Sequence, residues 1–291
     1  MVWQPEIEEL EHRKKLAEQM GGEENVAKHR ARGKLPVRER IALLVDPGSF
    51  EEIGALTGTA TYDEDQKLES FTPQAFVVGA CTLNGRRVLV NGGDFTIRGG
   101  SGGYGPKATY LEEMAEHWRL PYVRLLDASG GSVRHFEEIG RTYAISNVLG
   151  VQAGKLLGMV PVVAAVMGSV AGIPAVEACI SHFSVMVKGT SQVFPGGPPV
   201  VKAALGIDIT KEELGDERTQ VRKGGVIDNL ADSEEEALAM IRKFLSYLPS
   251  SVWEMPPRIE PTDDPDRRDE ALLSIIPRDK RKVYDPRAVL D

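Results

Sequence analysis

Only two cysteines, Cys81 and Cys179, occur in 291 residues, and they stand far apart, outside any CxxC pair or Cys/His cluster. That excludes a disulfide framework and a structural zinc site, and a reducing, cytoplasmic setting is expected. The five histidines, His12, His29, His117, His135 and His182, lack metal-ligand spacing, so no metal is expected. No serine or cysteine sits in a GxSxG elbow, since Gly168-Ser169-Val170-Ala171-Gly172 misses the pattern by one place. Long apolar runs are missing too: the stretch from Met159 to Met167 falls far short of the ~20 residues that span a bilayer. The N-terminus runs from Met1-Val2-Trp3 straight into acidic residues, without the basic and apolar regions of a secretory leader. Basic excess is absent as well. A net charge of −8, from 43 acidic and 35 basic residues, argues against a nucleic-acid surface, although an anionic small molecule needs only a local basic pocket.

What is present is an ordinary globular composition, with 42% apolar residues and length for one large domain or two small ones. Residues 1–50 read as a polar helical arm that wraps another surface: helices over Glu6 to Met20, Glu23 to His29 and Val37 to Val45, the last with Ile41, Leu43 and Leu44 on one side. From residue 51 the period changes. Gln74 to Leu83 and Arg87 to Asn91 flank Asn84-Gly85, a strong hairpin signal. A glycine-rich turn then leads into a helix carrying Leu111, Met114, Ala115 and Trp118. Further strands are expected at Tyr122 to Leu126, Val160 to Met167 and Phe183 to Val187. Between them fall a helix with Ile139, Tyr143, Leu149 and Leu156, and another with Pro174 in its first turn. Ser233-Glu234-Glu235-Glu236 fits a capping box for a helix with Leu238, Ile241, Leu245 and Leu248 on one face. The domain therefore spans 51–250, and 251–291, rich in Pro, Asp and Arg, reads as an extended linker or tail.

Strands that end in glycine turns opening helices put backbone N–H groups at the carboxyl edge of a sheet. Gly130-Gly131-Ser132 and Ala171-Gly172-Ile173 are one helix and one strand apart, so they can lie side by side as an oxyanion hole. Plain structural turns are the other reading of the same glycines. The loop Arg98-Gly99-Gly100-Ser101 matches neither GxxxxGK[ST] nor GxGxxG, yet Arg98 and Lys107 bracket it and could meet phosphate. Glu177, one turn after Pro174, could face a ligand or occupy the surface.

Taken in order, several motifs resemble the carboxyltransferase β subunits of biotin-dependent acyl-CoA carboxylases. They begin with Ala31-Arg32-Gly33-Lys34-Leu35, Arg38-Glu39-Arg40-Ile41 and Leu43-Leu44-Val45-Asp46-Pro47-Gly48-Ser49-Phe50. Asp94-Phe95-Thr96 with Gly99-Gly100-Ser101, the Asp127 to Ser132 turn, Ser184 to Val187, Thr190-Ser191-Gln192 and Gly197 to Lys202 follow. Glu212 to Gly215 and Gly225 to Asp228 extend the series. The resemblance implies an α/β, crotonase-like fold (ClpP/crotonase superfamily) of repeated ββα units behind the helical arm. It implies a coenzyme A thioester substrate and carboxyl transfer from carboxybiotin on a biotin carboxylase or carrier partner, with a separate C-domain polypeptide and a homo- or hetero-oligomer. Residues 51–250 would be the N domain, and the tail would lead toward a C domain that these residues do not include. The family's Ala-Gly-Gly-Ala enolate turn falls on Ala171, Gly172, Ile173 and Pro174, and its later histidine on Gln220. On this reading Gly172 and Ile173, with Gly130 and Gly131, hold the enolate, while Arg98, Gly99, Gly100, Ser101, Lys107 and Ala171 bind CoA. Two alternatives remain: a biotin-dependent decarboxylase subunit, and a CoA-binding assembly subunit without its own chemistry.

Overall fold

A computed structural model describes residues 2–101, 106–131, 140 and 151–290. Three helices come first, α1 (Gln4–Glu18), α2 (Glu23–Arg30) and α3 (Val37–Leu44). Strands β1 (Glu51–Ile53), β2 (Gly58–Tyr62), β3 (Leu68–Pro73), β4 (Phe76–Leu83) and β5 (Arg86–Gly93) precede α4 (Pro106–Trp118). Next come β6 (Tyr122–Leu126), α5 (Val151–Leu157), β7 (Val162–Val166), β8 (Ser169–Ala171), α6 (Ile173–Cys179), β9 (Phe183–Val187), β10 (Gln192–Phe194) and α7 (Pro198–Leu205). The series ends with α8 (Lys211–Gly215), β11 (Asn229–Ala231) and α9 (Glu234–Ser246). Triplets β4-β5-α4, β7-β8-α6 and β9-β10-α7 are the repeated ββα unit.

The main sheet has the order β1-β4-β5-β6-β7-β9-β11, antiparallel across its first three strands and parallel from β5 onward. The β4–β5 hairpin turns through Asn84 and Gly85, both left-handed (φ 53° and 77°), as an Asn-Gly turn requires. The Asp46 carboxylate fixes that turn, accepting from Asn84 N (2.9 Å) and Gly85 N (2.8 Å). Strand alternation divides the core in two. Val123, Leu125, Val163 and Ala165 face Val37, Ile41 and Leu44 of α3 and Leu238, Ile241 and Leu245 of α9. On the opposite face Leu89, Tyr122 and Val162 meet Leu111, Ala115 and Leu156, and Ala164 and Val166 meet Ala175 and Ala178.

Several local expectations change. Leu43 is exposed, and the inward stripe of α3 is Val37, Arg40, Ile41 and Leu44, because a paired arginine replaces the third aliphatic side chain. At α9 Ser233 Oγ accepts from Glu236 N (3.1 Å), but the Glu236 carboxylate bonds Asp232 N (2.7 Å) rather than closing a box with Ser233. A reciprocal capping box is found instead at Thr210 and Glu213, opening α8. The stretch after β7, read as a plain turn, contains β8, which pairs in parallel with β10. The helix expected around Ile139, Tyr143 and Leu149 lies outside the described residues, while Leu156 belongs to α5.

The chain divides into two units, Met1–Pro256 and Pro257–Asp291. Residues just past 250 belong to the first: Ser251 is buried and Val252 N donates to Met159 O (2.9 Å). The second unit holds two four-residue helices, α10 (Leu272–Ile275) and α11 (Arg287–Leu290), within extended chain.

Candidate functional site

The parallel strands all end on one edge, and three glycine loops meet there. Leaving β6, the chain passes Asp127 and Ala128 to Gly130 (φ 78°); leaving β8, it reaches Gly172 (φ 70°) and enters α6. Ala171 N donates to Ala128 O (3.0 Å), and a Cβ on Gly130 would stand 2.6 Å from Ala171 O, so the two turns touch backbone to backbone. Glycine is required at both positions for its positive φ and, at Gly130, for close approach.

The donors at this junction differ from the expected set. Gly172 N is directed at Pro195 O (3.2 Å), which commits one of the four amides assigned to the enolate. Ile173 opens α6, where N–H groups have no intrahelical partner, and its amide has no acceptor among the described residues; neither do those of Gly130 and Gly131. Positive φ falls on Gly172 alone, so isoleucine at 173 carries no backbone strain. Gln220, at the position of the family's later histidine, donates through Nε2 to Val193 O (2.8 Å), bracing β10.

The third loop packs on the first. Arg98, Gly99 and Gly100 are successively left-handed (φ 50°, 66° and 66°), Ser129 N donates to Gly99 O (3.1 Å), and a Cβ on Gly100 would come within 2.7 Å of Ala128 Cα. Arg98 is exposed on a cleft shared with Thr59, Thr72, Gln74 and Ile97, and Ser101 Oγ donates to Arg98 O (2.6 Å). Lys107 does not line that cleft. It is buried against Gly54 beside Glu52 and Arg38, and burial lowers its pKa, so the expected Arg98/Lys107 phosphate clamp is not formed. Ser132 and the rest of the glycine loop at 102–105 lie outside the described residues.

Beneath the junction is a buried ionic cluster that sequence reading missed. Asp127, fully buried, accepts from Lys34 Nζ (3.2 and 3.3 Å) and from Arg40 Nη1 (3.0 Å). Arg40 also donates to Glu234 (2.8 and 2.6 Å) and to Met167 O (3.0 Å). Gly168 lies directly against Asp127 and Lys34, where any Cβ would overlap both side-chain ends. Gly168→Ala is therefore expected to destabilise the fold by about 1–3 kcal/mol, the scale of core overpacking, checked by urea denaturation.

A second buried cluster backs α6. Arg124 donates to Glu112 Oε1 (3.0 Å) and lies 3.9 Å from Glu177 Oε1, so Glu177 faces inward rather than toward a ligand or the surface. Burial pushes the Glu177 carboxyl up to about 7, against the opposing pull of Arg124. Burial pushes His29, beside Asp127, down to about 4. The two shifts act in opposite senses on stability. Between pH 4 and 6.5 the unfolded chain binds the His29 proton more tightly, so that contribution is lost as pH falls. Between 4.5 and 7 the folded chain binds the Glu177 proton more tightly, so that contribution is lost as pH rises. Denaturation midpoints of Glu177→Gln should thus rise with pH across this range more steeply than wild type, and those of His29→Asn should fall.

Comparison with known proteins supports one assignment. The model of the carboxyl transferase domain matches residues 28–291. The propionyl-CoA carboxylase carboxyltransferase subunit of Haloferax mediterranei is 33% identical over 300 residues, covering 100% of this chain and 56% of that protein. The methylmalonyl-CoA decarboxylase subunit alpha of Veillonella parvula is 32% identical over 99% of this chain and 56% of its own length. Among solved structures, transcarboxylase 12S with methylmalonyl-coenzyme A and methylmalonic acid bound superposes with a TM-score of 0.80 at 30% identity, covering 98% of this chain and 56% of that one. The chain thus spans about half the length of the curated relatives it matches. The crotonase-like α/β arrangement expected from the motifs is the fold found, and the chain belongs to the carboxyl transferase domain family.

Proposed function

We propose that this chain binds an acyl-CoA and holds its thioester enolate during biotin-dependent carboxyl transfer. The observation that carries the reading is the backbone junction of Gly130 with Ala171 and Gly172, beside amides of Gly130, Gly131 and Ile173 that lack acceptors among the described residues. Backbone amides with no titratable base among them suit an oxyanion that forms when another group removes the α-proton, and each such donor contributes about 3–4 kcal/mol to the transition state. Carboxybiotin on a carrier partner supplies the carboxyl group and, after losing it, the base. The chain's own part is to bind the nucleotide end near Arg98, lay the thioester across the junction, and stabilise negative charge on its oxygen through Ile173 N–H with Gly130 or Gly131 N–H.

Two measurements test this. Calorimetry should detect acyl-CoA binding to the chain alone, and carboxylation should require the biotin partners together with a polypeptide matching the remaining length of the relatives. Failure to bind any CoA ester, or full carboxylation of acyl-CoA from free carboxybiotin by the chain alone, overturns it. Arg98→Ala is expected to weaken CoA-ester binding by about 1–2 kcal/mol, the scale of one charged hydrogen bond, in the same titration. The similarity to a methylmalonyl-CoA decarboxylase subunit favours a second reading, the same exchange run toward carboxybiotin. Partner subunits that release CO2 from carboxybiotin, rather than load biotin with a carboxyl group, would select it.

A further inference from the structure

We infer that Asp127 is a positioning residue for the enolate junction: through Lys34 and Arg40 it sets where the Gly130–Gly131 turn stands relative to Ala171–Gly172. The inference rests on the function proposed above and deepens it. Asp127 is the first residue past β6 and lies three positions before Gly130. Its backbone meets the end of β5 and the third glycine loop, since a Cβ on Gly93 would lie 3.0 Å from Asp127 O and one on Gly100 2.7 Å from the same atom. Its carboxylate touches Gly168 after β7. One side chain and its peptide therefore contact the third glycine loop at Gly100 and the turn at Gly168 that leads through β8 to Gly172, while the same residue opens the Gly130 loop.

What fixes that side chain comes from far away in sequence. Lys34 Nζ contacts both Asp127 oxygens and lies 4.9 Å from the Phe95 ring centroid, and Arg40 divides its guanidinium among Asp127, Glu234 and Met167 O. With His29 neutral, the cluster pairs two cations, Lys34 and Arg40, with two carboxylates, Asp127 and Glu234. Buried ion pairs are a poor source of stability, because desolvation cancels most of the attraction; what they supply is direction, with several donors converging on one geometry. Met167 O and Asp127 are held by the same guanidinium, which ties the ends of β6 and β7 to each other. β6 leads directly into the Gly130–Gly131 turn, and β7 leads through β8 into Gly172.

The test reads the thioester carbonyl directly. Propionyl-CoA labelled with ¹³C at the thioester carbon is bound to the chain, and its C=O stretch is measured by isotope-edited infrared spectroscopy alongside affinity, thermal melting, and kcat and KM in the reconstituted complex. In wild type the stretch should fall below its value in water, because amide donors polarise the bond. Asp127→Asn keeps the side-chain shape and loses the charge that Lys34 and Arg40 grip. Its stretch should move back toward the water value and its kcat fall by about tenfold to 100-fold, the cost of a misplaced reacting group. Its KM should stay within about twofold. Lys34→Gln, which leaves Arg40 on Asp127, should move the stretch part of the way, and it decides the matter if Asp127→Asn does not fold. An unchanged stretch in the folded variants, or a loss of activity that follows the loss of folded protein alone, overturns the inference. Wild-type chain that binds no ester, or binds it with the stretch of water, instead overturns the function on which the inference rests.

Discussion

Gly172→Val should lower turnover of the assembled enzyme by about 100-fold or more, the scale of losing one oxyanion donor. Gly172 has φ 70° and ψ −132°, a conformation closed to β-branched residues. A side chain at this position forces the turn to relax, and the residue that moves with it is Ile173, whose amide is the proposed donor. Space is not the obstacle, for the nearest atom to an added Cβ is Gly130 Cα at 3.7 Å, an ordinary contact. The new methyl groups would therefore occupy the gap between the two turns where the thioester is proposed to lie. Backbone strain of this kind costs about 1–3 kcal/mol, so the variant should remain folded and its circular dichroism unchanged. Gly172→Ala should fall between wild type and valine, because alanine has the same φ restriction with less bulk. Turnover of Gly172→Val equal to wild type would place the enolate elsewhere.

Strands β6, β7 and β9 of the parallel sheet were legible because each is a short apolar run followed within a few residues by glycine, and Tyr122–Leu126 and Phe183–Val187 fall where the pattern puts them; β11 (Asn229–Ala231) has neither signal and was missed. The meeting of the two glycine turns was legible for the same reason: one helix and one strand bring a parallel chain back to its neighbour's edge. What the sequence hid was polarity in the core. Lys34 and Arg40 look like the solvated charges of a polar arm, yet they pair with Asp127 and Glu234, which lie 93 and 194 residues away from them respectively. Periodicity sees only which positions are apolar, so an arginine that replaces an aliphatic side chain on an inward face reads as a break in the stripe. The same blindness applied to Glu177 and Arg124. Donor assignment at Gly172 failed on another ground, since the acceptor at Pro195 comes from the loop after β10 and no local pattern announces it.

Arg40→Met is expected to cost about 3–5 kcal/mol of folding free energy, the penalty for removing one partner of a buried ion pair. Arg40 is 1% exposed and donates to Asp127, Glu234 and Met167 O, so methionine fills most of its volume but leaves the Glu234 carboxylate, among the described residues, with only the Leu35 amide (3.3 Å). Lys34 still neutralises Asp127, which identifies Glu234 as the orphaned charge. The double variant Arg40→Met/Glu234→Met should then be more stable than Arg40→Met alone, because two apolar side chains that pack together avoid the desolvation that one isolated carboxylate suffers. Arg40→Lys should recover little, since an ammonium has no fork to span Glu234 and reach Asp127 together. Urea denaturation of wild type and these three variants measures the differences, with ΔΔG taken from midpoints at constant m. An Arg40→Met chain within about 0.5 kcal/mol of wild type, the range of ordinary surface changes, would mean that hydration reaches Glu234 and that α3 is not locked to α9 through this pair.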